Sequence, residues 1–229
     1  MPARGVFIAG TDTGIGKTLI ACALLHGLAE TGLRVVGMKP VAAGAKRRQR
    51  AWINDDVEQL RAASNVKAPT SSINPYCFAP PVAPHIAARE AGTVIRMSVL
   101  ACHYAQLAAR AEVVVVEGVG GLLVPLGPRL SAAAIPERLN LPVVLVVGMR
   151  LGCLNHALLT LEALRMRGLR LVGWIANASD PSMARRKENL ETLQQRIDAP
   201  LLGVVKHAAK PDAARVARSL DISRINEVI

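Results

Sequence analysis

The segment from Val6 to Thr18 constrains this chain most, because it combines a buried strand, a glycine-rich loop and the start of a helix. A short apolar run enters a loop with three glycines that ends in Lys17 and Thr18, and an apolar helical run follows. Glycines let the backbone turn its N–H groups inward around a polyphosphate, and a helix N-terminus adds partial positive charge. A lysine here reaches the β and γ phosphates, and the threonine hydroxyl can bind Mg²⁺. The segment therefore predicts a phosphate-binding loop.

The spacing of this loop departs from the usual pattern. Five residues separate Gly10 from Gly16, where four are usual, and Thr11 holds the place of the first glycine. A glycine-rich turn that only caps a helix is the alternative interpretation. The order of strand, loop, Lys-Thr and helix favours a variant phosphate loop.

Composition narrows the class of protein. The chain has 229 residues, which fits one domain spanning residues 1–229, and 51% of them are apolar. Aromatic residues make up only 3%, so the core must be aliphatic and base stacking on aromatic side chains is disfavoured. The net charge of +11 comes from scattered basic residues with modest clusters at 46–50 and 185–187, and we expect no nucleic-acid partner.

The sequence also bears on location. The longest apolar stretch, near Leu139 to Met149, is interrupted by Asn140 and Pro142, so we expect no membrane span. Only residues 1–5 precede Val6, so we expect no secretory segment there. The four cysteines lack a Cys-x-x-Cys spacing, and we expect free thiols and a cytoplasmic protein.

Strands and helices alternate along the chain. We expect strands at about 5–9, 34–38, 113–116, 141–147, 170–176 and 201–205. We expect helices at about 16–30, 57–63, 85–91, 98–111, 157–167, 183–197 and 211–220, with loops at 44–53 and 65–84. This alternation predicts an α/β fold of three layers: a doubly wound, mostly parallel sheet of the P-loop NTPase type.

Polar residues follow several of these strands, where ligands of open α/β sheets bind. Lys39 follows the second strand, Glu117 the third and Asn177 the fifth, while Asp56 begins a short helix. Each has a plainer interpretation: an ordinary strand-end lysine, a glutamate before a turn, a turn asparagine and a helix cap. Together with Lys17 and Thr18 they predict an enzyme that uses Mg-ATP.

Several sequence blocks between Val6 and Gly203, read together, resemble the dethiobiotin synthetase family. They are Gly-Thr-Asp-Thr-Gly-Ile-Gly-Lys-Thr (10–18), Lys-Pro-Val-Ala-Ala-Gly (39–44), Asn-Asp-Asp (54–56), Asn-Pro-Tyr-Cys-Phe (74–78), Pro-His-Ile (84–86), Val-Glu-Gly-Val-Gly-Gly (116–121), Leu-Gly-Cys-Leu-Asn-His-Ala (151–157), Gly-Trp-Ile-Ala-Asn (173–177) and Pro-Leu-Leu-Gly (200–203).

The resemblance implies a reaction, its partners and a set of site residues. 7,8-Diaminononanoate, CO₂ and ATP would give dethiobiotin, ADP and phosphate through a carbamate and its mixed anhydride with phosphate. The enzyme would be a homodimer, with the substrate near the subunit interface and Mg²⁺ as cofactor.

The residues to which the resemblance assigns roles fall into four groups. The catalytic group is Lys39, Lys17 and Thr13. The ATP-binding group is Gly14, Ile15, Gly16, Lys17, Thr18, Leu19, Asp56, Glu117, Gly118, Val119, Gly120 and Asn177, with Asn177 at the adenine. The Mg²⁺ ligands would be Thr18, Asp56 and Glu117. Substrate would contact Thr13, Lys39 and Ala43, and the partner chain's Leu151, Gly152, Cys153, Leu154 and Asn155.

The chain departs from the family pattern in places. Ala43 stands where many members have serine, Gly14 where some have glutamate, and Ala178 where an acidic residue is frequent. Three other functions stay open: a regulatory ATPase of the partition type, another ATP-dependent amide- or carbamate-forming ligase, and a nucleic-acid-binding module. The regulatory ATPases carry a signature lysine at the position of Asp12.

Overall fold

The central sheet is built from parallel strands, and the computed structural model describes residues 4–48 and 51–229 of the chain. The strands in chain order are β1 (Arg4–Gly10), β2 (Val35–Met38), β3 (Val41–Ala42), β4 (Lys46–Arg48), β5 (Ala51–Ile53), β6 (Tyr76–Cys77), β7 (Val113–Glu117), β8 (Val143–Gly148), β9 (Leu171–Asn177) and β10 (Leu201–Val205). Six of them form the central sheet in the order β10-β9-β8-β1-β7-β2. Every pairing in that sheet is parallel, which confirms the predicted fold class.

Helices cover both faces of this sheet. In chain order they are α1 (Lys17–Glu30), α2 (Asp55–Ala63), α3 (Thr70–Ile73), α4 (Pro84–Glu90), α5 (Met97–Ala108), α6 (Ala134–Leu139), α7 (Cys153–Met166), α8 (Arg186–Arg196), α9 (Ala213–Ala217) and α10 (Ile222–Val228). None of the helices in the described ranges is long and apolar enough to cross a membrane.

The core has two layers, one on each side of the sheet. Side chains alternate along β1, so Val6 and Ile8 point into one apolar cluster while Phe7 and Ala9 point into the other. Strands buried on both faces read as continuous apolar runs, which is why Val113 to Val116 predicted a strand so clearly. This packing fixes β1, and the loop after it, at the centre of the molecule.

Several elements differ from the sequence-based expectations. The basic segment 44–53 is not a loop, because β4 and β5 pair antiparallel within it; Gln49 and Arg50 lie outside the described residues. The segment 65–84 contains α3 and β6, and β6 pairs with β3. Two short helices, α6 and α10, were not expected, and α7 begins earlier than expected. Short elements of this kind depend on tertiary partners, and their sequences carry too few residues to show a period.

Candidate active site

The phosphate loop joins β1 to α1 at the carboxyl end of the sheet. Gly14 and Gly16 have φ values of 71° and 89°, in the left-handed region that favours glycine. A Cβ atom on Gly16 would clash with Nδ2 of Asn177. The loop therefore depends on glycine at position 16 for both its backbone angle and its close packing.

Lys17 is buried in this loop. Its Nζ donates to the main-chain carbonyl of Asp12 at 2.6 Å, and only 6% of the residue is exposed. Burial, followed by the nearby Lys39 ammonium, lowers the pKa of Lys17 to about 8 against the opposing effect of three carboxylates. A bound polyphosphate would place further negative charge beside the Lys17 ammonium and so favour its charged form.

Three residues that are far apart in the sequence meet beside Lys17. Lys39 Nζ donates to Asp56 Oδ2 at 2.9 Å and to Glu117 Oε1, and it lies 3.4 Å from the carbonyl oxygen of Gly118. Thr18 Oγ1 donates to the same Glu117 oxygen at 2.9 Å. The structure thus brings Lys39, Asp56, Glu117 and Thr18 together, as the sequence predicted.

The charges of this cluster depend on one another. Burial raises the pKa of Glu117, even though Lys39 opposes that shift. Burial would also lower the pKa of Lys39, but the Glu117 and Asp56 carboxylates outweigh it and raise that pKa. The pKa of Asp56 is lowered, since Lys39 and hydrogen bonds outweigh its partial burial. The carboxyl groups of Asp56 and Glu117 therefore favour the charged form of Lys39.

Two buried asparagines hold the segment that carries Lys39. Asn74 Nδ2 donates to the Lys39 carbonyl at 2.6 Å and to the Tyr76 carbonyl at 3.0 Å. Asn54 Nδ2 donates to the Ala43 carbonyl at 3.1 Å, while its Oδ1 caps α2 by accepting from the Asp56 N–H at 3.0 Å. Both asparagines lie in the sequence blocks 54–56 and 74–78, but nothing in those blocks predicts this role.

A cavity of about 760 Å³ opens in front of the cluster. Its polar floor carries Lys17, Thr18, Lys39, Asp56 and Glu117. Its remaining lining includes an apolar wall formed by Pro81, Val82, Ala83, Pro84, Val119 and Val124. Thr13, Gly14, Gly16, Ala43 and Gly120, all predicted site residues, also line it. The cavity therefore joins a phosphate site to a surface suited to an alkyl chain.

Other predicted residues lie away from this cavity. Ile15 is buried in the core, and Leu19 packs against the same core layer. Gly118 lies behind the floor, where a Cβ would meet Phe7 Cζ at 2.8 Å. Asn177 Nδ2 donates to the Ile15 carbonyl at 2.7 Å, so its amide holds the phosphate loop. A contact between Asn177 and adenine stays a prediction.

The segment Leu151–Asn155 does not line the cavity of its own chain. Leu151 is 93% exposed, Gly152 has a φ of 95°, and α7 begins at the buried Cys153. Arg150, just before this segment, pairs with Asp12 of the phosphate loop. Nothing in the sequence spacing signalled that contact, because 138 positions separate the two residues.

The donor set at the cavity floor fits Mg²⁺. Glu117 Oε2 is buried without a hydrogen-bond partner, and the Thr18 hydroxyl and Asp56 carboxylate lie on the same floor. Among the described residues, no group of three or more His, Cys, Asp or Glu side chains is placed to hold a metal ion. Mg²⁺ commonly uses one or two carboxylates together with phosphate oxygens and waters. Thr18, Asp56 and Glu117 would hold it.

The fold and this site define a P-loop NTPase. The family profile described as an AAA domain matches residues 4–215. A solved structure with the same fold is the septum site-determining protein MinD from Pyrococcus horikoshii with Mg-ADP, at a TM-score of 0.55 and 17% identity over 99% of this chain and 96% of that chain.

Curated relatives narrow the class further. The ATP-dependent dethiobiotin synthetase of Aromatoleum aromaticum is 57% identical over 95% of this chain and 96% of its own length. The enzyme of the same name from Nitrosospira multiformis is 51% identical over 97% of this chain and 96% of its own. The chain belongs to the ATP-dependent dethiobiotin synthetases, a family of ligases.

Proposed function

We propose that this chain converts 7,8-diaminononanoate, CO₂ and ATP to dethiobiotin, ADP and phosphate. The observation that carries the proposal is the buried Lys39 ammonium beside the phosphate loop, in a cavity with an apolar wall. A cation at this position would lie close to a phosphate group bound in the loop and to a substrate carbamate in the cavity. Membership of the dethiobiotin synthetase family supports the same reaction.

The proposed chemistry has three steps. One amine of the substrate attacks CO₂ and loses a proton, giving a carbamate. A carbamate oxygen then attacks the γ-phosphorus of ATP, and the bond to the ADP oxygen breaks. The second amine attacks the carbonyl carbon of this anhydride, the carbon–oxygen bond to phosphate breaks, and the ureido ring closes with release of phosphate and a proton.

The protein contributes position and charge to these steps. Lys17 would bind the β and γ phosphates, and Lys39 would stabilise the carbamate and the transferred phosphoryl group. Thr13, which lines the cavity, would donate a hydrogen bond to the same anions. Mg²⁺, held by Thr18, Asp56 and Glu117, would neutralise charge that develops on the phosphate oxygens.

The apolar wall supports binding of the alkyl chain of the substrate. Pro81, Val82 and Val124 would cover methylene groups, at about 0.8 kcal/mol for each buried CH₂. Ala43 lies in the same lining and has no side-chain hydroxyl, so it offers the substrate only backbone groups. The substrate carboxylate would then extend toward the mouth of the cavity.

We further propose a homodimer in which α7 lies at the interface. Leu159 and Met166 are 61% and 88% exposed on this helix, and Leu151 just before it is 93% exposed. Residues 155, 159, 162 and 166 recur at helical spacing, so they share one face. Burying this face would place Leu151–Asn155 near a partner's cavity, where its backbone N–H groups and Asn155 would bind the substrate carboxylate.

A cytoplasmic location stays a prediction.

Release of ADP from Mg-ATP, with and without 7,8-diaminononanoate in bicarbonate buffer, tests the proposed reaction. We expect release to depend on the diamine and mass spectrometry to find one ureido product. Lys46→Met serves as the control for replacing the cavity lysine Lys39 by methionine. Lys46 forms an exposed pair with Asp55 and lies outside the cavity lining. ADP release that is indifferent to the diamine would overturn the proposal and favour a regulatory ATPase.

A different product would point elsewhere. If another amine substituted fully for 7,8-diaminononanoate, the chain would be a different amide- or carbamate-forming ligase. Binding to DNA with a steep salt dependence would be needed to support a nucleic-acid function.

A further inference from the structure

The contact between Asp12 and Arg150 links two loops at the carboxyl end of the sheet. Asp12 is the third residue of the block 10–18 and lies in the phosphate loop, whereas Arg150 follows β8 and precedes the exposed segment Leu151–Asn155. Arg150 donates to Asp12 Oδ2, and His156 Nδ1 lies 4.0 Å from the same oxygen. One side chain from the loop after β8 and one from the first turn of α7 thus approach a single carboxylate of the phosphate loop.

Asp12 in turn organises the phosphate loop around it. Its Oδ1 accepts from the Thr13 N–H at 2.7 Å, and its main-chain carbonyl accepts from Lys17 Nζ at 2.6 Å. Thr13 and Lys17 both line the cavity. The residue whose carboxylate Arg150 holds is therefore the chain neighbour of Thr13, and its main-chain carbonyl contacts Lys17.

Thr11, which precedes Asp12, is hydrogen-bonded to β8, the strand that Arg150 follows. Thr11 N–H donates to the Val146 carbonyl at 3.1 Å, and the Gly148 N–H donates to Thr11 Oγ1 at 3.4 Å. The first half of the phosphate loop thus rests on the end of β8. Arg150 extends this support from the backbone to the side chain of Asp12.

We propose that Arg150 is a positioning residue for nucleotide binding: it fixes the phosphate loop through Asp12. The proposal also joins the ATP site to the segment that begins at Leu151. Only this link between the two sites rests on the proposed function, in which the segment binds the carboxylate of the substrate held in the partner subunit's cavity. Ordering of Arg150 by that substrate would then tighten ATP binding in the subunit to which Arg150 belongs.

Arg150 could favour ATP binding by its long-range charge alone or by positioning the phosphate loop, and the two explanations predict different effects of Asp12 substitution on ATP affinity. Removing Arg150 takes a cation away from a polyphosphate site, so Arg150→Ala weakens ATP binding under either explanation. Removing the negative charge of Asp12 should strengthen ATP binding if long-range charge dominates. It should weaken binding if the pair positions the loop, since the ion pair between Arg150 and Asp12 is lost in both variants.

The experiment measures the dissociation constant of Mg-ADP by titration calorimetry for Arg150→Ala, Arg150→Lys, Asp12→Asn and the double variant of Arg150→Ala with Asp12→Asn. Both side chains are more than a third exposed, 42% and 37%, so we expect a loss of about threefold to fivefold in each single variant. We expect the double variant to lose no more than either single variant, and Arg150→Lys to recover part of the affinity.

One control variant tests whether loss of an exposed arginine elsewhere also lowers Mg-ADP affinity. Arg224→Ala removes an arginine from an exposed pair with Asp221 at the start of α10 and should leave Mg-ADP affinity unchanged. Tighter binding by Asp12→Asn, or additive losses in the double variant, would overturn the proposal. Because Mg-ADP binding requires no diamine, failure of the proposed reaction would appear separately, as ADP release by the unaltered chain that ignores the diamine.

Discussion

Replacing Lys39 by methionine keeps most of the side-chain volume and removes the cation between Asp56 and Glu117. The Lys39 and Glu117 side chains are only 6% and 1% exposed, so this half of the cluster is shielded from water. The Asp56 side chain is 39% exposed, and solvent screens its share. Breaking a buried pair from one side costs about 3–5 kcal/mol, and we expect a loss near the lower end, about 3 kcal/mol.

The loss should depend on pH in a defined direction. Burial already raises the pKa of Glu117, and removing Lys39 removes the largest opposing effect, so that pKa rises further. The folded variant then keeps a proton that the unfolded chain releases at about pH 4.3, so its stability falls as the pH rises through the folded-state pKa. The destabilisation of Lys39→Met should therefore be larger at about pH 8 than at about pH 5.

Urea denaturation at both pH values measures this difference, with Lys46→Met as the matched control. Lys46 forms an exposed pair with Asp55, and its removal should change stability little at either pH. Adding Glu117→Gln to Lys39→Met should recover part of the loss, because no buried charge then remains unpaired. The same destabilisation at both pH values would refute the argument from buried charge.

The same variant tests the role of Lys39 in turnover. We expect Lys39→Met to lose diamine-dependent ADP release while it still binds Mg-ADP, because the nucleotide's phosphates would contact the phosphate loop. Near-normal product formation would refute the catalytic role of Lys39.

Three further predictions concern other parts of the molecule. Asn74→Ala leaves the buried Lys39 carbonyl without its donor and should cost about 1–3 kcal/mol in urea denaturation; an unchanged midpoint would contradict this. Because the pKa of Lys17 is about 8, ATP affinity should fall by calorimetry as the pH rises from about 7 to about 9.5, and a flat profile would contradict it. Leu159→Glu should shift a dimer toward monomer in sedimentation velocity, whereas an unaltered dimer would exclude this face as the interface.

Local sequence was enough to predict the phosphate loop and the strands of the central sheet. The glycines before Lys17 and Thr18 act within a few residues, through backbone angles that other residues rarely adopt. The strands are apolar on both faces, and such runs need no knowledge of their neighbours to be recognised.

Short elements were harder to predict for a physical reason. The strands β4 and β5 have three residues each, and α6 and α10 have six and seven, so too few residues are present for a hydrophobic period to show. They form because neighbouring elements supply their partners. A basic stretch that had suggested a loop instead contributes two short strands, β4 and β5, that pair antiparallel.

The sequence by itself determined that a phosphate loop follows a central strand and that several charged residues follow or flank the other strands. Only the tertiary structure decided which of them meet. Because β7 pairs with both β1 and β2, it brings Glu117 beside Lys39 from 78 positions away. The contacts of Asn74 with the Lys39 carbonyl and of Arg150 with Asp12 arise in the same way. A hydrogen bond depends on distance in space, and strand order sets that distance where sequence separation does not.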